Sequence, residues 1–230
     1  MGQRRSPRSY KRPGPTREPY DFVAIVCEGT KSEPGYFSGL RLAYRLSSTN
    51  IRITPADGTD PLSVVTHGET LLGSEGYDRV YCVFDRDGHA TYDAALERLR
   101  TCQAGRDGRL IGVPSWPCFE VWLLLHFRYS SAGFASAGKK SACDRAVAEL
   151  RQHIHGYEKG RNDIFTLVEK QLADALRNAT RLEQDNRRSG ATNPATRVHR
   201  LVSYLQNLKA GAQSAAHWRI AGAFLNASER

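Results

Sequence analysis

Two continuous runs of apolar residues constrain the fold of this chain more than any other feature. They are "DFVAIVC" at residues 21–27 and "DRVYCVF" at residues 78–84, and both are rich in β-branched side chains. Strands that are covered on both faces of a parallel sheet have this pattern, whereas a strand with one face in water alternates apolar and polar residues. Both runs therefore predict strands that are buried on both faces.

Segments with helical spacing lie between the predicted strands. Two shorter runs, "IRIT" and "RLIGVP", predict further strands, and the amphipathic segments are "PGYFSGLRLAYRL", "PLSVVTHGETLL" and "TYDAALERLRTC". Strands that alternate with helices indicate βαβ units. We therefore expect an α/β fold with an open, mostly parallel sheet flanked by helices, over about residues 21–115.

The second half of the chain predicts helices that only loops separate. The segments with helical spacing are "KSACDRAVAELRQHI", "DIFTLVEKQLADALRNATRLEQDN" and "PATRVHRLVSYLQNL". Three parts are therefore expected. They are a disordered basic tail at residues 1–20, an α/β domain at residues 21–130, and a helical region at residues 131–230 that packs on this domain or extends it.

The chain carries a strong positive charge. Among its 230 residues, 33 are Lys or Arg and 24 are Asp or Glu, so its formal net charge is +9. This balance favours a polyanionic partner, nucleic acid before an anionic membrane. Arg4, Arg5 and Arg8 belong to the basic tail, which is either an arm that binds nucleic acid or a solvated end without a role.

The absence of certain sequence features predicts the cellular compartment of the protein and the redox state of its cysteines. It has no apolar run long enough to cross a membrane and no apolar segment typical of a secretory signal, which predicts a cytoplasmic protein without a membrane partner. Its five cysteines are odd in number and form no CxxC pair, so reduced thiols are expected rather than a zinc site. Cys27 and Cys82 lie in strand-like runs and are expected in the core.

Carboxylates follow both buried strands at the point where each strand ends. Glu28 and then Gly29 follow the first run, and Asp85 and Asp87 follow the second in "VFDRDGH". Each motif alone is also typical of a simple turn. Because functional groups collect at the carboxyl edge of an open parallel sheet, the three acids are expected close together. Mg²⁺ prefers carboxylates and water, so we predict a Mg²⁺ site, which Mn²⁺ can also fill.

The order of these motifs resembles a known pattern. A strand that ends in Glu-Gly and a later strand that ends in Asp-x-Asp are similar to the Toprim domain of topoisomerases, primases and related nucleases. Several strings together resemble the RloB-like family, which includes the abortive phage-infection protein AbiLii. These strings, spread over about residues 23–202, are "IVCEGTKSEPGYF", "DPLSVV", "VYCVFDRDGH", "PCFEVWLLLHF", "GYEKG" and "NPATRVHRLV".

The resemblance implies a Toprim-type, metal-dependent nuclease that cleaves phosphodiester bonds in anti-phage defence by abortive infection, often encoded beside an ATPase partner. In Toprim enzymes the glutamate acts as a general acid or base or as a metal ligand, and the aspartates hold Mg²⁺. The matching residues here are Glu28, Asp85 and Asp87. The resemblance does not decide among DNA, tRNA and other RNA as the substrate. It also leaves open whether the site holds one metal ion or two and whether the protein forms an oligomer.

Five other residues are candidates for the same site. Glu33 is either a further metal ligand or a first-turn acid that the helix dipole favours, and Lys31 either contacts the scissile phosphate or is solvated. Glu120 lies in the apolar "SWPCFEVWLLLHF" and is either a metal ligand or a buried acid with another partner. His89 is either a general acid or ligand or a loop residue, and His126 is either a ligand or a core histidine.

Basic residues in two later loops suit a nucleic-acid backbone. Lys159 and Arg161 lie in "HGYEKGRND", and Arg197 and Arg200 lie in "NPATRVHR". Guanidinium and ammonium groups near helix N-termini are typical phosphate contacts. Ordinary surface charge also explains these residues, and the family resemblance favours phosphate contacts.

Two other functions fit parts of the sequence. "VFDRDGH" also resembles the nucleophile strand of haloacid-dehalogenase-like phosphatases, but that family needs a later lysine and a second acidic pair, and no convincing pair follows here. A nucleic-acid-binding regulatory subunit without catalysis fits the net charge and the basic tail as well as a nuclease does.

Overall fold

A five-stranded sheet forms the centre of residues 21–208, the part of the chain that the computed structural model describes. Its strands are β1 (Val23–Cys27), β2 (Ile51–Pro55), β3 (Arg79–Asp85), β4 (Leu110–Trp116) and β5 (Ala195–Thr196). They lie in the order β2-β1-β3-β4-β5, with β1 to β4 parallel and β5 antiparallel to β4. The predicted α/β fold with a mostly parallel sheet is confirmed. The basic tail, with Arg4, Arg5 and Arg8, lies outside the described residues.

Helices cover both faces of the sheet. They are α1 (Ser32–Ala43), α2 (Pro61–Ser74), α3 (Tyr92–Thr101), α4 (Gln103–Arg106), α5 (Glu120–Leu124), α6 (Ala142–Leu150), α7 (Ile164–Val168), a 3-10 helix (Glu169–Gln171), α8 (Leu172–Ser189) and α9 (Val198–Asn207). The start of α2 shows how local sequence defines an element, because the Asp60 side chain accepts hydrogen bonds from backbone N–H groups and Pro61 takes the first helical position. Within residues 21–208, no helix is long and apolar enough to cross a membrane.

Alternate residues of β1 enter two different cores. Val23, Ile25 and Cys27 pack with α1 and the later helices, whereas Ala24 and Val26 pack with α2 and α3 on the other face. The first core continues from the sheet into α6, α8 and α9, so the helical half packs directly on the sheet. The domain division at residue 130 stays a prediction.

The second half also contains a strand that the sequence did not predict. β5 has only two residues and pairs with Ser115 and Trp116 at the end of β4. A strand of this length shows no alternation, so only its partner reveals it. The long helix predicted from residue 163 is also divided into α7, the 3-10 helix and α8.

The prediction that all cysteines are reduced is wrong for one pair. Cys118 and Cys143 form a disulfide, with their Cα atoms 5.6 Å apart. Their separation of 25 residues in the chain carries no recognisable spacing, so the pairing depends on the fold. Cys27, Cys82 and Cys102 are free and buried, as expected for the first two.

Candidate metal centre

An open cavity of about 360 Å³ lies where β1, β3 and β4 end. The loop after β1, the first turn of α1 and the segments after β3 and β4 contribute to its wall. Its carboxylic acids are Glu28, Glu33, Asp85, Asp87 and Glu120. The structure therefore brings together every acidic residue that the sequence suggested for this site.

Glu28 is held by the strand next to its own. Its backbone N–H donates to the carbonyl oxygen of Val83 at 3.0 Å, and its Oε2 accepts from the backbone N–H of Asp85 at 2.9 Å. Its Oε1 lies 2.8 Å from Nε2 of His89, which places that histidine in the site. Burial raises the pKa of Glu28, while the Asp85 amide and His89 partly oppose the rise. Glu28 is thus held in the site by the backbone of β3 and by the His89 ring.

Asp85, the last residue of β3, carries the least satisfied oxygen of the site. Its Oδ1 is buried and has no hydrogen-bond partner in the described structure. Burial raises the pKa of Asp85 well above its usual range, and the negative charges of Glu33, Glu120 and Glu28 raise it further. A buried acceptor without a partner is costly, and so are clustered like charges. A bound cation would remove both costs.

Glu33 reaches the cavity from the first turn of α1. Its side chain is nearly buried, at 7% exposure, and burial raises its pKa to about 7, with further contributions from Glu120 and Glu28. Gly29 lies against this carboxylate, and a Cβ at position 29 would stand 2.8 Å from Oε2 of Glu33. Any larger residue at position 29 would therefore displace the carboxylate.

Glu120 begins α5, just past the end of β4, and is 1% exposed. The Tyr157 hydroxyl donates to its Oε1 at 3.0 Å, and Nζ of Lys159 lies 3.7 Å from its Oε2. Sγ of Cys143 lies 3.6 Å from the same oxygen, so the disulfide with Cys118 forms part of the cavity wall. Glu120 is therefore both a buried acid with partners and a member of the acidic cluster.

Asp87 and Lys31 both line the cavity. Asp87 accepts from the Ser141 hydroxyl at 3.2 Å, and its backbone N–H donates to the carbonyl oxygen of Pro117 at 3.0 Å. The Lys31 side chain packs on Gly160, where an added Cβ would stand 2.6 Å from its Cδ. Lys31 and the loop that carries Lys159 thus share one wall.

His126 does not line the cavity. Its Nδ1 lies 3.0 Å from the carbonyl oxygen of Trp122, and its ring packs edge-to-face against Trp122 and Tyr36. Burial lowers the pKa of His126 to about 4, so the ring is neutral at physiological pH. It is a core histidine, the alternative stated from the sequence.

The basic residues that the sequence suggested for nucleic-acid binding are dispersed. Lys159 lines the acidic cavity. Arg161 forms an ion pair with the aspartate two residues later, and Arg200 forms one with Glu183. Arg197 lies in the wall of a second cavity. Of these four basic residues, Lys159 alone lines the cavity that contains Glu28, Asp85 and Glu120.

Sequence reasoning missed several residues that shape the site. Tyr157 donates to Glu120 and lies in "GYEKG", a string from which only Lys159 was predicted to be functional. Ser141 donates to Asp87, and Thr59 lines the cavity, but neither stands in a recognisable pattern.

The set of donor atoms fits a hard divalent cation. Carboxylate oxygens are the ligands that Mg²⁺ and Mn²⁺ prefer, and the unpaired Oδ1 of Asp85 offers one of them. Among residues 21–208, the three candidate ligands whose atoms all lie within 4.8 Å of one another are Cys118, Glu120 and Cys143, so the other carboxylates share the cavity without forming so close a group. Sulfur in a disulfide is not a thiolate, so this second group does not form a zinc site in the described state.

The fold and the site together define an α/β protein with clustered carboxylates at the carboxyl edge of its sheet. A family model described as RloB-like protein matches residues 23–205. The chain therefore belongs to the RloB-like family, as the sequence motifs indicated. No curated protein and no solved structure matches it.

Proposed function

We propose that this protein is a metal-dependent nuclease that cleaves phosphodiester bonds of nucleic acid. The observation that carries the proposal is the convergence of Glu28, Glu33, Asp85 and Glu120 on one cavity, with the unpaired Oδ1 of Asp85 among them. The net charge of +9 supports a polyanionic substrate. A negative cavity in a positive protein needs a cation before it can accept a phosphate, which favours metal-dependent chemistry.

Each residue has a distinct role in this proposal. Asp85 and Asp87 would hold Mg²⁺ or Mn²⁺, with Glu33 and Glu120 as further ligands. The bound metal would stabilise charge on the attacking and leaving oxygens of the phosphodiester. Glu28 would act as the general acid or base, which its raised pKa and its contact with His89 support.

Two lysines would contact the substrate phosphate. Lys31 and Lys159 both line the acidic cavity, and the Lys159 side chain is 54% exposed, so its ammonium group can meet an incoming phosphate. His89 would orient the Glu28 carboxylate through the 2.8 Å contact.

The resemblance of the sequence motifs supports the biological setting. We assign the site to the Toprim type and the protein to anti-phage defence by abortive infection, as in the AbiLii group, with an ATPase partner and a place in the cytoplasm. The substrate is DNA or RNA, with tRNA among the candidates.

The experiment compares purified protein with Asp85→Asn and with Asp107→Asn, an exposed aspartate away from the cavity. Each is incubated with single-stranded DNA, duplex DNA and tRNA in Mg²⁺, Mn²⁺ or EDTA, with and without the ATPase partner. Cleavage is expected for the unchanged protein and for Asp107→Asn, and it should be lost in Asp85→Asn and in EDTA. Electron paramagnetic resonance of Mn²⁺ measures the loss of metal binding in Asp85→Asn directly.

Three outcomes would contradict the proposal. Cleavage that survives Asp85→Asn would exclude this site. Phosphate release from a generic phosphomonoester, without cleavage of any nucleic acid, would favour the phosphatase. Salt-sensitive binding without cleavage under every condition would favour a regulatory subunit.

A further inference from the structure

A second cavity, of about 620 Å³, lies at the carboxyl ends of β3 and β4 and beside β5. Residues of α3, α8 and the loop before β5 complete its wall. The side chains that matter for the argument are Arg86, Tyr92, Trp116, Arg187 and Arg197. Its volume suits a ligand of the size of one nucleotide.

Both cavities border the tip of β3. Asp85 and Asp87 line the acidic cavity, and Arg86 between them lines the second. Successive side chains at the tip of a strand point to opposite sides, which explains this division. Because residues 85, 86 and 87 are consecutive, a nucleic-acid strand that passes over the tip of β3 can meet the aspartates on one side and Arg86 on the other.

Arg86 lines the second cavity beside two aromatic side chains. Its Cζ lies 3.8 Å from the centre of the Trp116 ring and 4.9 Å from that of Tyr92, so two aromatic rings fix its orientation. Its ion pair with Asp93 is long, at 3.8 Å, and Asp93 is 83% exposed, so water screens that pair. The Arg86 side chain is itself 35% exposed, which leaves it accessible to a ligand.

The charge of the lining favours an anionic ligand. Arg86, Arg187 and Arg197 contribute positive charge, and Glu183 is the acid among the lining residues. Glu183 already contacts Arg187 at 2.9 Å and is paired with Arg200. Aromatic rings beside arginines in a positive cavity are a combination that binds nucleotides, because bases stack on aromatic rings and phosphates pair with guanidinium groups.

We propose that the second cavity receives a nucleotide of the single-stranded nucleic acid whose phosphodiester bond lies at the acidic site. The inference rests on the proposed nuclease function and narrows its substrate. A base in a duplex is stacked and paired, and it must leave the stack before it can enter a cavity. Single-stranded DNA or RNA, or an unpaired loop, is therefore the substrate class.

Binding is measured in EDTA, so that its result does not depend on cleavage. The probes are fluorescein-labelled single-stranded DNA, RNA of the same sequence and the corresponding DNA duplex, followed by fluorescence anisotropy. Arg86→Ala should weaken single-strand binding about tenfold, since stacking contributes about 1–3 kcal/mol per base. Arg86→Lys, which keeps the charge and loses the plane, should recover only part of the loss. Arg100→Ala removes an exposed arginine of α3 and serves as the charge-matched control.

Photo-crosslinking locates the bound base. With 5-iodouracil in the single strand, mass spectrometry should find the crosslink on the peptide that contains Tyr92 or Trp116. Thermal denaturation confirms that the Arg86 variants are folded.

The inference is overturned if Arg86→Ala binds like Arg100→Ala, if the duplex binds as tightly as the single strand, or if crosslinks map elsewhere. If these results occur while Asp85→Asn still abolishes cleavage, the nuclease function stands and only the nucleotide site is lost. If no cleavage is found but binding and crosslinks behave as expected, the nucleotide site stands and the nuclease function fails.

Discussion

Substitution of Glu33 by glutamine tests whether the ionised carboxylates of the acidic cavity repel one another and destabilise the folded protein. The pKa of this carboxyl rises from its ordinary value of 4.5 to about 7, first because of burial and then because of Glu120 and Glu28. The folded protein holds the proton of Glu33 more tightly than the unfolded chain does. Protonation of Glu33 therefore stabilises the folded protein, and this stabilisation is complete below about pH 4.5. It is lost as the pH rises through about 7.

The size of the effect follows from the pKa. Each tenfold change in acidity corresponds to about 1.4 kcal/mol, so ionisation of Glu33 lowers the free energy of unfolding by about 3 kcal/mol across this interval. Glutamine has nearly the same shape and no charge. In EDTA, the difference between Glu33→Gln and the unchanged protein should therefore be small at about pH 5 and should approach 3 kcal/mol in favour of the variant at about pH 8.

Urea unfolding, followed by circular dichroism at several pH values, measures this difference. Glu169→Gln, a substitution at an exposed glutamate, should leave the pH dependence unchanged. Addition of Mg²⁺ should stabilise the unchanged protein more than Glu33→Gln, because the ionised carboxylate then has a cation. Parallel pH curves for Glu33→Gln and the unchanged protein in EDTA would refute the account of Glu33 as a buried, repelled carboxylate.

Two further predictions concern the wall around Glu120. Tyr157→Phe removes the hydroxyl that donates to Glu120. Because a buried carboxylate then loses a hydrogen-bond partner, the free energy of unfolding should fall by about 1–3 kcal/mol. Urea unfolding measures the change. Reduction of the bond between Cys118 and Cys143 opens a loop of 25 residues, and it should cost about 3 kcal/mol in the same assay with and without a reductant.

Each of these two predictions has a matched comparison. Tyr129→Phe removes a hydroxyl that is bonded to the part-exposed Asp185, so it should cost less than Tyr157→Phe; an equal cost would mean that the bond to Glu120 has no special weight. Cys143→Ala should make stability insensitive to the reductant. An unchanged response in that variant would show that the reductant acts elsewhere.

The acids at the two strand ends were predictable because local pattern and topology agree. Runs without polar residues indicate strands covered on both faces, and the ends of parallel strands meet at one edge. Glu28, Asp85 and Asp87 therefore had to lie close together once the sheet was parallel. The family resemblance came from the same strings and is confirmed by the match over residues 23–205.

The partners of Glu120 were not predictable in this way. Tyr157 is 37 residues away in the chain, and the disulfide in the cavity wall joins residues separated by 25. Contacts of this kind depend on how α5 and α6 pack. The spacing of apolar residues along the chain predicts helices, but it does not predict which helices pack together. The same reason explains why the two-residue β5 was missed, since its pairing with β4 defines it.

The sequence by itself determined the α/β class, the strand ends and the acids placed there, because these depend on residues close together in the chain. The tertiary structure alone decided that Glu33 and Glu120 face Asp85, that Arg161 and Arg200 are held by acids elsewhere, and that Arg86 turns into a second cavity. Those outcomes depend on distances and charges between segments that only the folded chain brings together.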